Sequence, residues 1–468
     1  MALPLQDYRR LAARELLAAY RAGTLSPVEV AEAALAAIEE SNAALNAVTY
    51  LDPDGALAAA RRSEARWRGG RPDGPLDGLP TLVKDGLPMR GVPVYRGTIA
   101  LRRQAVVPDD DAPAVARLRE DGAVLLGKTS MCDMGMMGSG YSSQFGPTRN
   151  PWNPALTSGG SSSGSAAAIA AGLVPVAVGT DIVGSIRLPA AFCGLAGLKP
   201  SYGRVPFYPN SSPAAVAGPL ARDVEDLALL LSTIARPDPR DFAALPSEGL
   251  AYESLLEGEL GGLRIGYLAG LGFGPPPEPA IAAAVEAALG TLAGLGCRVE
   301  PLEPPFAAGD MAVLEDFYRL RPYHELQLLP EEDRRAAAVI EAWAAPAGGF
   351  SGLDHYRQFL ATQRLREQTL ALLQGFDVLA LPAAPLSPFP AELPAPVGES
   401  IFAPFANTLL FNLTEQPAIS LFCGTTPEGL PVGLQLVARR FDDLGLLRLA
   451  RAYESARGAG PAWPLEAS

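Results

Sequence analysis

The chain is 468 residues long, 48% hydrophobic and 19% charged, which is enough apolar material for a large buried core and not the makeup of a disordered protein. Its formal net charge of −13 argues against a nucleic-acid surface, which needs a basic patch, and no run of basic residues contradicts that. With no Cys-x-x-Cys spacing and only two histidines, a zinc site is hard to assemble, so Cys132, Cys193, Cys297 and Cys423 are expected to be free and mostly buried.

At the N-terminus, Arg9 and Arg10 precede any apolar core of signal-peptide length; no export signal is visible, and a cytoplasmic location is the default. Leu5 to Tyr20 has helical spacing, and Ser26-Pro27-Val28-Glu29 is a capping box that opens a helix through about Ile38. Ala56 to Arg68 reads as a third helix and Thr81 to Lys84 as a strand ended by Lys84. Asp109 to Asp121 reads as a helix, and Ala123 to Leu126 as a strand ended by Gly127. This is a βαβ rhythm.

Turn-rich Phe145 to Pro154 leads into the stretch from Thr157 to Arg187, where Gly159 and Gly160 are followed at once by Ser161, Ser162 and Ser163. Hydroxyls and bare N–H groups are thereby concentrated in one tight loop. Ala166 to Ala171 is a short helix stopped by Gly172, and Val174 to Val178 is a buried strand that empties into Gly179 to Ser185. The whole apolar run from Ala166 to Val178 is shorter than the roughly 20 residues of a membrane helix.

Further on, Gly218 to Asp226 opens a helix to Ala235, and strand-like Leu263 to Leu268 and Arg298 to Pro301 flank a helix from Pro279 to Leu295. Asp310 to Leu373 is helix-rich. Its aromatic residues, Phe317, Tyr318, Tyr323, Trp343, Phe350 and Tyr356, are expected mostly in the core, a minority lining a pocket. No Walker loop is present, and no Gly-x-Gly-x-x-Gly follows a strand.

Three passages carry a resemblance: Gly78-Leu79-Pro80-Thr81-Leu82-Val83-Lys84-Asp85, the Gly159 to Ser163 loop, and Val183-Gly184-Ser185-Ile186-Arg187, with Ser185 lying 24 residues after Ser161. They resemble the lysine segment, the Gly-Gly-Ser-Ser-Gly-Gly loop and the Gly-Gly-Ser-Ile-Arg turn of the amidase signature family of Ser-Ser-Lys hydrolases. The likeness runs from about Leu5 to Tyr453. It implies one α/β amidase domain over 1–468, a single large domain with a mixed central β-sheet covered on both faces by helices. Within it, a signature catalytic core is expected over 64–237 and a helix-rich, substrate-covering region over 305–375.

Of 38 basic residues only Lys84, Lys128 and Lys199 are lysines. A lysine kept where arginine is otherwise used suggests an amine that can lose its proton; for Lys128 and Lys199, chance or packing serves as well. Amide hydrolysis needs a nucleophile and a base, and His324 and His355 are both remote from the serine motifs, so lysine is left as the base. A lysine pKa of about 10.4 must then fall, and burial can lower it by up to about 3 to 5 units.

The resemblance implies a triad of Lys84, Ser161 and Ser185, with Ser161 relaying the proton of the nucleophile Ser185 to Lys84. It also implies an oxyanion hole from the backbone of Ile182, Val183, Gly184 and Ser185, and substrate-binding roles for Met137, Gly138, Gly160, Ser162 and Asp181. Val183 and Ser163 stand where the family usually has glycine, and a β-branched Val183 is expected to keep an ordinary φ. The alternative reading makes Ser161 and Ser185 helix caps and Lys84 a surface charge.

The expected activity is cleavage of a carboxamide C–N bond through an acyl-enzyme, on a small or medium organic amide, with carbamate, urea-type and ester bonds also within reach. No cofactor and no metal is called for. The partners are the small-molecule amide and water, with no nucleic acid and no membrane, and with room for a homodimer. A second hypothesis is the glutaminase-type A subunit of a tRNA-dependent amidotransferase, which hands ammonia to a partner and docks on a tRNA-binding chain. Those subunits carry an Arg-bearing segment near a Gly-Tyr pair that Trp343 to Tyr356 does not resemble, which ranks this hypothesis second.

Overall fold

The computed structural model describes residues 3–210 and 212–464. In chain order its strands are β1 (Val48–Leu51), β2 (Pro80–Lys84), β3 (Val124–Thr129), β4 (Arg149–Asn150), β5 (Asn153–Thr157), β6 (Val176–Asp181) and β7 (Ala196–Lys199). β8 (Val216–Ala221), β9 (Arg264–Tyr267), β10 (Arg298–Pro301), β11 (Val378–Pro382), β12 (Ala418–Thr425) and β13 (Pro431–Ala438) follow. Eleven of them form one sheet in the order β1-β3-β2-β6-β8-β7-β12-β13-β11-β9-β10, while β4 and β5 make a separate ribbon. β3, β2 and β6 are parallel, as are β11, β9 and β10, and antiparallel pairs join the two groups. The sheet is therefore mixed.

Helices flank this sheet, and the apolar residues of β11 show how. Val378 and Ala380 join the cluster that holds the N-terminal helices and Val224–Ile234, whereas Leu379 and Leu381 join the cluster that holds Asp310–Gln327 and Ile401 to Leu413. Alternate side chains of a strand point to opposite faces, so each cluster covers one face. With both faces covered, β2, β3, β8, β11 and β13 are buried at every residue and read as apolar runs without alternation.

The capping box forms as its residues predict: the Ser26 hydroxyl accepts from the N–H groups of Val28 and Glu29, and Glu29 accepts from Ser26 N–H at 2.9 Å. The helix it opens runs to Leu45, past Ile38. Leu5 to Tyr20 divides into Leu5–Tyr8 and Ala13–Ala22, because the buried Asp226 carboxylate accepts from the N–H groups of Ala13 and Arg14 and starts a new helix there. The helix expected from Asp109 is only Pro113–Glu120.

Gly127 does not end its strand. It lies inside β3, where a side chain would sit 1.9 Å from the Tyr50 carbonyl oxygen, and it marks the register shift against β2. The passage expected only to open a helix also contains β8, with Pro219 paired to Val178 in the sheet interior; the helix proper is Val224–Ile234, capped by Asp223. All four cysteines are free, three of them buried. Among the described residues no helix is long and apolar enough to cross a membrane.

Candidate active site

β2 and β6 are parallel neighbours, so their carboxyl ends lie side by side, where open α/β sheets place ligands. Lys84 is the last residue of β2, and Thr180 and Asp181 close β6. The Lys84 amine, fully buried, donates to Ser161 Oγ at 2.7 Å, Ser162 Oγ at 3.0 Å and Thr180 Oγ1 at 2.8 Å. Burial disfavours its charged form and lowers it to about 7, with Cys132, Asp181 and Asp85 opposing. It is therefore no surface charge.

The other two lysines are also buried but turn elsewhere. Lys128 Nζ lies 3.3 Å from Asp85, and Lys199 Nζ donates to the Pro200 carbonyl at 2.9 Å. Neither serine caps a helix: Ser162 and Ile186 hold the two N-cap positions, without side-chain capping bonds. The Ser162 N–H instead donates to the Ser185 carbonyl at 3.1 Å, which ties the two serine turns together. Ser161 and Ser185 line one cavity of about 290 Å³, and the buried Ser185 Oγ has no hydrogen-bond partner among the described residues.

A web of long-range contacts holds the second turn. Arg187, fully buried, donates through Nε and Nη2 to Asp181 at 3.1 and 2.9 Å, through Nη1 to Gln435 and the Thr408 carbonyl, and through Nη2 to Asn412. Burial alone would raise the Asp181 carboxyl, but the Arg187 guanidinium outweighs it and holds Asp181 at about 2. The Thr408 hydroxyl donates to the Val183 carbonyl at 2.6 Å. Gly184 has φ 135°, and a side chain there would meet Thr408 Oγ1 at 2.0 Å, so only glycine fits. Val183 keeps an ordinary φ, as its branched side chain requires.

The expected oxyanion donors narrow to three. Gly184 N–H donates to Asp181 Oδ1 at 2.8 Å and is occupied, whereas the N–H groups of Ile182, Val183 and Ser185 make no hydrogen bond among the described residues. Of the residues expected to bind substrate, four lie away from the cavity. Met137, Gly138 and Gly160 form backbone contacts behind the serine loop: Gly160 N–H donates to the Gly138 carbonyl at 3.0 Å, and a Gly160 side chain would meet the Met137 carbonyl at 2.1 Å. Ser162 Oγ is engaged by Lys84 and Thr180. None of these four lines the cavity; Asp181 does, with its carboxylate held by Arg187.

Lining residues that sequence reasoning did not single out are mainly apolar, among them Leu87, Val94, Met131, Met134 and Phe207, together with Arg96 and Arg321. The aromatic residues of the 310–373 region do not line it; Tyr318 and Trp343 pack on Phe402 instead. A hollow of about 790 Å³, lined by Arg14, Asp223, Arg451 and Glu454, lies elsewhere and is lined by none of Lys84, Ser161 and Ser185.

The amidase family model matches residues 29–447. The chain belongs to the amidase family. The A subunit of glutamyl-tRNA(Gln) amidotransferase from Chloroflexus aurantiacus is 37% identical over 93% of this chain and 94% of that relative. Among solved structures, a bacterial aryl acylamidase of the amidase signature family superposes with a TM-score of 0.87 at 29% identity, covering 95% of this chain and 96% of the other. A 6-aminohexanoate cyclic dimer hydrolase, complexed with its substrate, superposes at 0.86 with 28% identity, covering 99% and 100%. As a member of the amidase family, the chain is an enzyme acting on carbon–nitrogen bonds.

Proposed function

We propose that this amidase hydrolyses the C–N bond of an organic amide through an acyl-enzyme on Ser185, with Lys84 as base and Ser161 as relay. The observation that carries this reading is the buried Lys84 amine, held at about 7 and 2.7 Å behind Ser161 Oγ, with Ser161 lining the same cavity as Ser185, whose Oγ has no partner among the described residues. Ser185 Oγ attacks the carbonyl carbon while its proton passes to Ser161 and the Ser161 proton to Lys84. The tetrahedral oxyanion accepts from free N–H groups of the 182–185 turn, each such donor being worth roughly 3 to 4 kcal/mol. Collapse expels the amine, which takes the proton back, and water hydrolyses the acyl-Ser185 ester through the same relay. The link from Ser161 to Ser185 closes when substrate seats, as catalytic hydrogen bonds often do.

The relatives favour a second reading at least as well, the glutaminase-type A subunit of a tRNA-dependent amidotransferase, because relatives of that name align over nearly the whole chain. Against it stands the lining of the cavity. A glutamine presents an α-ammonium group that wants a carboxylate, and the one lining acid, Asp181, is committed to Arg187 among otherwise mainly apolar walls. The chain purified alone is expected to turn over simple amides and anilides. Release of ammonia from glutamine only in a stable complex with a second, tRNA-binding chain would instead establish the amidotransferase reading.

A further inference from the structure

One wall of the active-site cavity carries charge that the triad does not use. Arg321, from helix Asp310–Gln327, and Arg96 both line it. Arg321 Nη2 donates to the Met134 carbonyl at 3.1 Å and lies 2.9 Å from the Met136 thioether, while its Nη1 is 3.4 Å from both Glu325 oxygens. Arg96 Nη1 donates to the same Glu325 carboxylate at 2.9 Å. Two guanidinium groups therefore share one carboxylate, and this wall holds one more positive charge than negative. The one acid that lines the cavity, Asp181, cannot balance it, since it is paired with Arg187.

Excess charge next to apolar walls is costly unless something pairs with it. The partners Arg321 has are weak ones: long contacts to Glu325, a carbonyl and a sulfur, with Nε making no hydrogen bond among the described residues. Burial pulls the Arg321 guanidinium down to about 10, aided by Arg96 and opposed by Glu325, which still leaves it charged at neutral pH. The backbone here is strained as well. Arg96 and Met134, joined by a bond from Met134 N–H to the Arg96 carbonyl, sit at φ 52° and 50°, which non-glycine residues seldom adopt and which tends to mark functional positions.

The wall is also close to the chemistry. Gly135 follows Met134, and a side chain built on Gly135 would come within 3.3 Å of Ser161 Oγ, so the Arg321 head group binds a peptide adjoining the relay serine. We propose that Arg321, supported by Arg96, forms an anion subsite for a carboxylate on the substrate, so that the preferred substrates are amides with an apolar body and a carboxylate a few bonds from the scissile carbonyl. This rests on the hydrolase reading above and names its substrate class. It also runs against the overall charge of −13.

The test compares p-nitroanilides of glutaric and adipic half-acids with pentanoyl and hexanoyl p-nitroanilides of equal chain length. Wild-type kcat/KM is expected to favour the half-acids by about 30-fold, the value of one desolvated charge pair. Arg321→Met should erase most of that ratio, Arg321→Lys should keep part of it, and Glu325→Gln, which removes the competing carboxylate, should enlarge it. A wild-type ratio near one, or an unchanged ratio in both Arg321→Met and Glu325→Gln, overturns the subsite while leaving the hydrolase reading in place. Binding to Ser185→Ala protein, read by titration calorimetry, needs no turnover and separates the two claims. Tighter binding of the adipic half-acid anilide than of the hexanoyl anilide by about 10-fold or more upholds the subsite even if no anilide is cleaved, and equal binding overturns it.

Discussion

Replacing Lys84 by arginine separates a base from a charge. The Lys84 amine, ordinarily at 10.5, is lowered to about 7 by burial, against the opposing carboxylates of Asp181 and Asp85. At pH 7 half of it is then neutral, whereas an amine titrating at 10.5 would be neutral in about one molecule in 3,000, so burial multiplies the working population roughly 1,500-fold. Only the deprotonated form accepts a proton, so wild-type kcat/KM is expected to fall tenfold per pH unit below about 7 and to level off above it. A guanidinium stays protonated at any usable pH, and Lys84→Arg should lose about 10² to 10⁴ in kcat/KM at every pH, as should the uncharged Lys84→Met. The assay is release of p-nitroaniline from an anilide across about pH 5 to 9, with thermal melts to show that each variant folds. Near wild-type turnover by Lys84→Arg, or a wild-type profile flat between about pH 6 and 8, would refute the base assignment.

Two further perturbations probe how the serine turn is held. Arg187→Met leaves the Asp181 carboxylate buried without its counter-charge and should cost about 3 to 5 kcal/mol in urea unfolding; a loss under about 1 kcal/mol would contradict the clamp. The sign follows from Asp181: its contribution is fully present above the ordinary 3.8 and is lost as pH falls through about 2, so the variant should be the less stable protein at neutral pH and the difference should shrink in strong acid. Gly184→Ala places a methyl group 2.0 Å from Thr408 Oγ1 at φ 135°, and is expected to abolish turnover while far-UV circular dichroism stays native; an active Gly184→Ala enzyme would show that the turn tolerates rearrangement.

What the sequence disclosed was local. Lys84 at the end of a strand, the paired serine turns and the capping box at Ser26 are each read from a few neighbouring residues, and each is found in place. What it concealed depends on distant pairing. Arg187 reaches Thr408, Asn412 and Gln435, more than 200 positions away, and nothing near Arg187 in sequence marks those partners. Arg321 falls in the helix-rich stretch from Asp310 to Leu373, where nothing nearby in sequence marks it, and only folding brings it against Met134 and beside Arg96. β8 escaped notice because Pro219, a residue that ordinarily argues against a central strand, occupies its middle. That Met137, Gly138, Gly160 and Ser162 pack behind the serine loop and not along the cavity was hidden because small residues packed behind a loop resemble, in sequence, small residues lining a pocket.

The central claim is that Ser185 is the nucleophile; it lines the cavity, and its hydroxyl has no hydrogen-bond partner among the described residues. Intact-mass analysis after exposure to a fluorophosphonate serine probe should show one adduct on the wild-type protein and none on Ser185→Ala, whose melting temperature should be unchanged. Equal labelling of the two proteins would place the nucleophile elsewhere and contradict the account.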